Sequence, residues 1–162
     1  MPVINVEALI ENRVSAIKRD NPNGKGELDM SGGIDSAVMA CLLSLALGPE
    51  NVILYHSNIN TNPVQTQRAE ALALALGIPI GVGNFTELCN DIAHECITTV
   101  VNAYGDYGEG IQEQIVDRMD ADPTIMGSLR STLRAPIGRF VNRIMGGVRR
   151  YGTGNECEDR WL

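Results

Sequence analysis

The stretch Gly26-Glu27-Leu28-Asp29-Met30-Ser31-Gly32-Gly33-Ile34-Asp35-Ser36 decides how this chain is read. Gly26 to Met30 alone is a weak strand, because it is short and carries Glu27 and Asp29. The residues after it rescue that assignment. Two adjacent glycines stand between Ser31 and Ile34, and Ile34, Val38, Cys41, Leu42 and Leu45 then share one helical face up to Gly48-Pro49. The pattern is strand, glycine loop, helix.

The flanks extend it. Residues 5–19 read as an amphipathic helix on Val6, Leu9, Ile10, Val14 and Ile17, stopped by Asn21-Pro22-Asn23-Gly24. Asn51 to Tyr55 has the apolar run of a buried parallel strand. Asn62 caps the next helix, Pro63 suits its first turn and Gly77 closes it. Ile78 to Val82 reads as a third strand, Asp91 to Ala103 and Ile111 to Met119 as helices, and Val148 to Tyr151 as a fourth strand. Between them Ser128 to Met145 reads as a helix with Leu129, Leu133, Ile137, Phe140, Val141 and Ile144 inward and a kink at Pro136. Alternating strands and helices with short connections predict a three-layer α/β fold around a doubly wound parallel sheet, with ligands at the carboxyl ends of the strands.

With 162 residues, of which 44% are hydrophobic, the expectation is a single domain spanning 1–162. A membrane protein is excluded by the lack of any uncharged apolar run of about 18 residues, and the N-terminus lacks a secretory pattern, so the expected compartment is the cytoplasm. Cys41, Cys89, Cys96 and Cys157 form no CxxC pair and read as reduced side chains. The net charge of −7 argues against nucleic acid as a partner. Charge is nonetheless segregated: the acids Asp91, Glu95, Asp106, Glu109, Glu113, Asp117, Asp120 and Asp122 face only Arg118, whereas residues 123–155 hold Arg130, Arg134, Arg139, Arg143, Arg149 and Arg150 and no acid. These are either two solvated faces of opposite sign or, for some arginines, groups aimed at phosphates.

At the loop each residue type has a task. Paired glycines let backbone N–H groups converge on an anion, Ser31 and Ser36 add hydroxyls, and the helix beginning near Ile34 points its positive end at the same place. Asp35 is misplaced in an anion site unless a divalent cation bridges it to phosphate oxygens, as Mg²⁺ commonly does, so it predicts a metal. The Walker pattern is absent, and the two lysines, Lys18 and Lys25, are not placed for it. His56 and His94 are read as structural.

Ser31 to Ser36 closely resembles the SGGxDS signature of the ATP pyrophosphatases, the PP-loop or adenine nucleotide alpha hydrolase-like family. Within that family, residues 31–79, Gly127-Ser128-Leu129-Arg130-Ser131-Thr132-Leu133-Arg134 and Gly152-Thr153-Gly154-Asn155-Glu156 resemble NAD synthetase. The resemblance implies an AMP-forming ligase: ATP activates the carboxylate of deamido-NAD as an acyl-adenylate, and ammonia displaces AMP to give NAD. It implies that Ser31, Gly32, Gly33, Ile34, Asp35, Ser36 and Thr153 hold ATP. Arg130, Thr132, Arg134 and Asn155 would serve deamido-NAD, and Asp35 with Glu158 would ligate Mg²⁺. It also implies a homodimer built partly on the Ser128 to Met145 helix. With no glutamine-hydrolysing segment in the chain, ammonia would come from solution or from a separate partner.

The resemblance departs in two places. Thr132 stands where the family's arginine is expected, leaving Arg130 or Arg134 as its replacement. The family also continues past the end of this chain with a closing loop. Two readings therefore stay open, a NAD synthetase, and a catalytically silent Mg-ATP-binding module or truncated fragment acting with a partner.

Overall fold

The computed structural model describes residues 5–105 and 110–153. Helix α1 (Val6–Asp20) leads into strand β1 (Gly26–Asp29), helix α2 (Ile34–Leu47), a 3-10 turn and strand β2 (Val52–Asn58). Helix α3 (Pro63–Leu76), strand β3 (Ile80–Asn84), helices α4 (Thr86–Tyr104), α5 (Ile111–Ala121) and α6 (Thr124–Ile144) and strand β4 (Arg149–Tyr151) complete the order. The four strands lie in the order β3-β2-β1-β4, every pairing parallel. The chain thus steps outward from β1 to β3 and then returns to add β4 on the other side of β1.

Register gives the two faces of the sheet opposite characters. Leu28 is level with Leu54 and Tyr151, and Leu54 with Ile80. With Met30, Ala40, Leu43, Val52, Ala69 and Ala73 they form the core beneath α2 and α3. The other face carries Glu27, level with Ile53 and Arg150, and Asp29, level with Tyr55. Helix α6 covers it, coming so near that a Cβ on Gly138 would collide with the Tyr55 hydroxyl and the Arg150 guanidinium. The expected three-layer, doubly wound sheet is the observed one.

Several boundaries differ from the sequence reading. Strand β2 runs on through His56, Ser57 and Asn58, and β3 sits two residues later than Ile78 to Val82. The parallel ladder with β3 extends to Asn58 opposite Asn84, so backbone pairing carries a polar tail that the apolar run did not signal. Helix α4 begins at Thr86, whose N–H donates to Asn84 Oδ1 at 3.1 Å. Helix α6 begins at Thr124 instead of Ser128, because the Asp122 carboxylate accepts from the Thr124 N–H at 2.9 Å and Pro123 suits a first turn. It continues through Pro136 as one helix.

The inward stripe of α6 also needs correction. Leu129, Leu133, Ile137 and Val141 are half-buried, but Phe140 and Ile144 are 67% and 66% exposed. The seam is rotated toward Arg130, Arg134 and Gly138, since only a glycine permits the close approach to Tyr55. Beside α6, helices α4 and α5 leave an apolar groove of about 330 Å³ lined by Ile97, Val100, Ile115, Met119 and Ile125. Among the described residues, no helix is long and apolar enough to cross a membrane.

Candidate functional site

The loop between β1 and α2 is held by its own hydroxyls. Ser36, buried in the first turn of α2, donates to the Gly33 carbonyl at 3.0 Å and lies 3.0 Å from Ser31 Oγ, which accepts from the Gly33 N–H at 3.2 Å. Ser36 is therefore a brace, whereas Ser31 is exposed. Gly32 adopts φ +79°, and a Cβ there would collide with the Gln65 carbonyl, so both conformation and space require glycine. Ile34 and Asp35 are exposed at the start of α2, where Gly33 supplies no side-chain cap. Among the described residues no side chain caps the first N–H groups of the helix, and its positive end faces outward beside the loop.

The return of the chain to β4 makes β1 and β4 the point where strand order reverses, and a cleft of about 200 Å³ opens at their carboxyl ends. Asp29, Ser31, Ser57, Arg134 and Thr153 line it, with His56, Arg150 and Tyr151. Three expected site residues, Ser31, Arg134 and Thr153, thus meet there from β1, α6 and the end of β4. Helical spacing puts Arg130 on the same side of α6 as Arg134, half-buried, while Thr132 is exposed. Of Arg130 and Arg134, Arg134 lines the cleft. Asn155 and Glu158 lie outside the described residues.

On the other side of the loop a shallower hollow of about 300 Å³ is lined by Met30, Gly32, Gly33, Ala37, Leu72 and Arg68. Its apolar floor beside the loop suits a flat ring. His56, lining the cleft, is fully committed: a carbonyl only accepts, so Nδ1 donates to the Met30 carbonyl, and Nε2 then accepts from the Thr66 hydroxyl at 3.0 Å. Its structural reading stands. His94 is exposed on α4.

The sheet face beneath α6 is charged. Glu27 is completely buried, and its one ion pair among the described residues is with Arg150, whose Nε lies 3.8 Å from Oε1. Arg150 also covers the Tyr55 ring, 6.0 Å from its centroid. Burial raises the Asp29 carboxyl above the usual carboxylate range, against the opposing pull of Arg134, the Ser57 backbone N–H, His56 and Arg150. Burial, helped by Asp29 and Glu27, pushes the Tyr55 phenol up to about 12 even with Arg150 pulling it down. Sequence reasoning missed Asp29, Ser57 and Arg68 as site residues. The one available signal was a charge at each of two alternate positions in a strand otherwise buried.

For Mg²⁺ the fit is partial. Among the described residues no three histidine, cysteine or acidic side chains converge as a metal cage. Magnesium, however, is commonly held by one or two carboxylates together with substrate phosphates and water. Asp35, exposed beside the loop, fits that role and no larger one.

The sequence profile of NAD synthase matches residues 6–114. No curated protein gives a match by sequence. Among solved structures, the glutamine-dependent NAD+ synthetase from Acinetobacter baumannii, in complex with ADP, superposes with a TM-score of 0.73 at 21% identity, over 99% of this chain and 28% of that one. The NH3-dependent NAD synthetase from Campylobacter jejuni, in complex with nitrate, gives 0.66 at 17% identity over 96% of this chain and 59% of that one. The NMN synthetase from Francisella tularensis gives 0.70 at 18% identity over 96% and 57%. The chain therefore spans less than two thirds of each of these relatives.

Proposed function

This chain belongs to the NAD synthase family, and on that premise we propose that it is a Mg²⁺-dependent, ATP-consuming ligase that amidates deamido-NAD with ammonia through an acyl-adenylate, releasing AMP and pyrophosphate. The observation that carries the reading is the junction of the Ser31 to Ser36 loop with the cleft that holds Ser31, Arg134 and Thr153.

In this reading the free N–H groups at the start of α2 and the exposed Ser31 hydroxyl receive the pyrophosphate side of ATP. The hollow floored by Leu72 and Ala37 takes the adenine ring, with Arg68 at its edge. Thr153 donates its hydroxyl to the nucleotide near the reacting phosphate. Arg134 offers a planar guanidinium to the carboxylate being activated, a bidentate match that a lysine would not make. Asp35, with Glu158, would hold Mg²⁺, which supplies charge neutralisation on the phosphates when bound. Arg130, Asn155 and Thr132 complete the expected contacts to deamido-NAD. No covalent nucleophile is required, so the protein contributes position and charge.

The assembly proposed is a homodimer in the cytoplasm, with ammonia drawn from solution or from a separate supplying partner. The apolar groove beside α4, α5 and α6, with Phe140 and Ile144 exposed, supports a second copy of the chain there. Light scattering reads the dimer directly.

The test of the activity is to incubate the chain with ATP, Mg²⁺ and ammonium, and with either deamido-NAD or nicotinate mononucleotide. AMP with NAD supports the reading. AMP only with the mononucleotide would shift the substrate to that smaller acid, the kind of reaction named for the Francisella relative. ATP binding without AMP from either would leave a Mg-ATP-binding module. Replacing Arg134 by alanine should raise the KM for the acid about tenfold or more, the effect of losing a charge-assisted hydrogen bond of about 1.5–3 kcal/mol.

A further inference from the structure

Forming an amide from ammonia requires that nitrogen lose a proton as it bonds to the acyl carbon, so an efficient site places a base beside the nucleophile. Three side chains lining the cleft could take a proton: His56, Tyr151 and Asp29. His56 has both ring nitrogens engaged, by the Met30 carbonyl and the Thr66 hydroxyl, and lies on the α2 and α3 side of the sheet. Tyr151 accepts from Asn21 Nδ2 at 3.1 Å through its hydroxyl. Asp29 differs from both. It ends β1, two residues before Ser31, and is half-buried on the α6 side.

Its charged surroundings come from three elements. Arg134 on α6 and Arg150 on β4 act on it, but neither comes within ion-pair distance among the described residues. Arg150 is the partner of Glu27, its neighbour on the same strand face. From β2 come Tyr55, Ser57 and His56, the Ser57 backbone N–H being its hydrogen-bond donor. The Ser57 hydroxyl is buried in the same cleft without a partner among the described residues. A carboxylate on the wall of an anion-binding cleft repels phosphate, so its place is at the end where the uncharged nucleophile enters.

We propose that Asp29 is the general base of the amide-forming step. The ammonia lone pair forms the C–N bond to the acyl carbon, an Asp29 carboxylate oxygen takes one N–H proton, and the C–O bond to the adenylate breaks with its electron pair leaving on AMP. Asp29 then returns the proton to water. The unpartnered Ser57 hydroxyl is positioned to accept a second N–H from the incoming nitrogen. Burial raises the carboxyl, which makes its conjugate base stronger than an exposed aspartate would be.

This assignment rests on the ligase reading, and separating the half-reactions keeps the two apart. Adenylation is followed without ammonia, as exchange of labelled pyrophosphate into ATP that depends on deamido-NAD. Amide formation is followed at varied ammonium and pH. Asp29→Asn should lower amide formation relative to exchange by about 10²-fold or more, with the acidic limb of the amide-forming pH profile gone. Asp29→Glu should recover part of the rate. Unchanged amide formation in Asp29→Asn, or equal loss of exchange and amide formation, overturns the base assignment while leaving the ligase reading intact. A parent chain that shows no exchange overturns both.

Discussion

Gly32 and Gln65 approach so closely that a Cβ on Gly32 would collide with the Gln65 carbonyl. The start of α3 thereby fixes the height of the glycine loop over the sheet. Backbone cannot swing aside as a side chain can, and Gly32 also has φ +79°. Gly32→Ala should cost about 1–3 kcal/mol from the left-handed conformation, with a further 1–3 kcal/mol from overpacking. Calorimetry with Mg-ATP should show lost affinity and thermal unfolding a lower Tm. Gly127, inside α6 with open space around it, is the control: Gly127→Ala should be neutral or gain up to about 1 kcal/mol. Equal Tm for the two variants would refute the claim that α3 fixes the loop.

Glu27 and Arg150 meet across the β1 to β4 ladder. Removing one partner from a buried pair costs about 3–5 kcal/mol, and less here because the Arg150 side chain is 32% exposed. Arg150→Ala strands a fully buried carboxylate, so urea denaturation should show a clear loss. Adding Glu27→Gln to Arg150→Ala should restore part of that stability by removing the uncompensated charge. A double variant less stable than Arg150→Ala alone would mean that Glu27 is compensated by something other than Arg150.

Tyr55 offers a spectroscopic check of the same buried layer. Its phenol, pushed up to about 12 first by burial and then by Asp29 and Glu27, should stay protonated where an ordinary tyrosine ionises. Tyr55→Phe should therefore leave the ultraviolet absorbance titration superimposable on the parent curve below about pH 11, one unit under that value. Loss of a step near pH 10 in the variant would show that water reaches the Tyr55 hydroxyl.

How much of the molecule was legible in the sequence depends on how local each signal is. The loop, the capping of α3 by Asn62 and its close at Gly77 rest on neighbouring residues, and each was readable. Ser31 and Thr153 meet because a parallel sheet brings strand ends together, which the alternation of elements already implied. Glu27 and Asp29 argued against a buried strand because the groups that offset their charge, Arg150 and Arg134, come from the far end of the chain. The polar tail of β2 was missed for a similar reason: its strand conformation is held by backbone pairing with β3, and periodicity does not report pairing. Phe140 and Ile144 were misassigned because a stripe fixes a helical face only to within a turn, and Gly138 chose the actual seam.

Asp29 should govern stability as well as rate. Its folded pKa lies above the unfolded value near 3.8, so the folded state holds the proton more tightly. The stabilisation linked to this group is fully present below the unfolded value and is lost as pH rises through the raised folded value. At neutral pH the ionised carboxylate is a net burden on the fold, since burial outweighs Arg134, the Ser57 backbone N–H and the other opposing groups. Asp29→Asn keeps the shape and removes the charge. Its urea midpoint should exceed the parent's at pH 7, and the gap should close as the pH is lowered toward 3, where both side chains are neutral. A parent more stable than the variant at pH 7 would show that attraction to Arg134 and Arg150 wins over burial. With the half-reaction assay, a variant that gains stability while losing amide formation would mark Asp29 as a residue kept for chemistry at the expense of the fold.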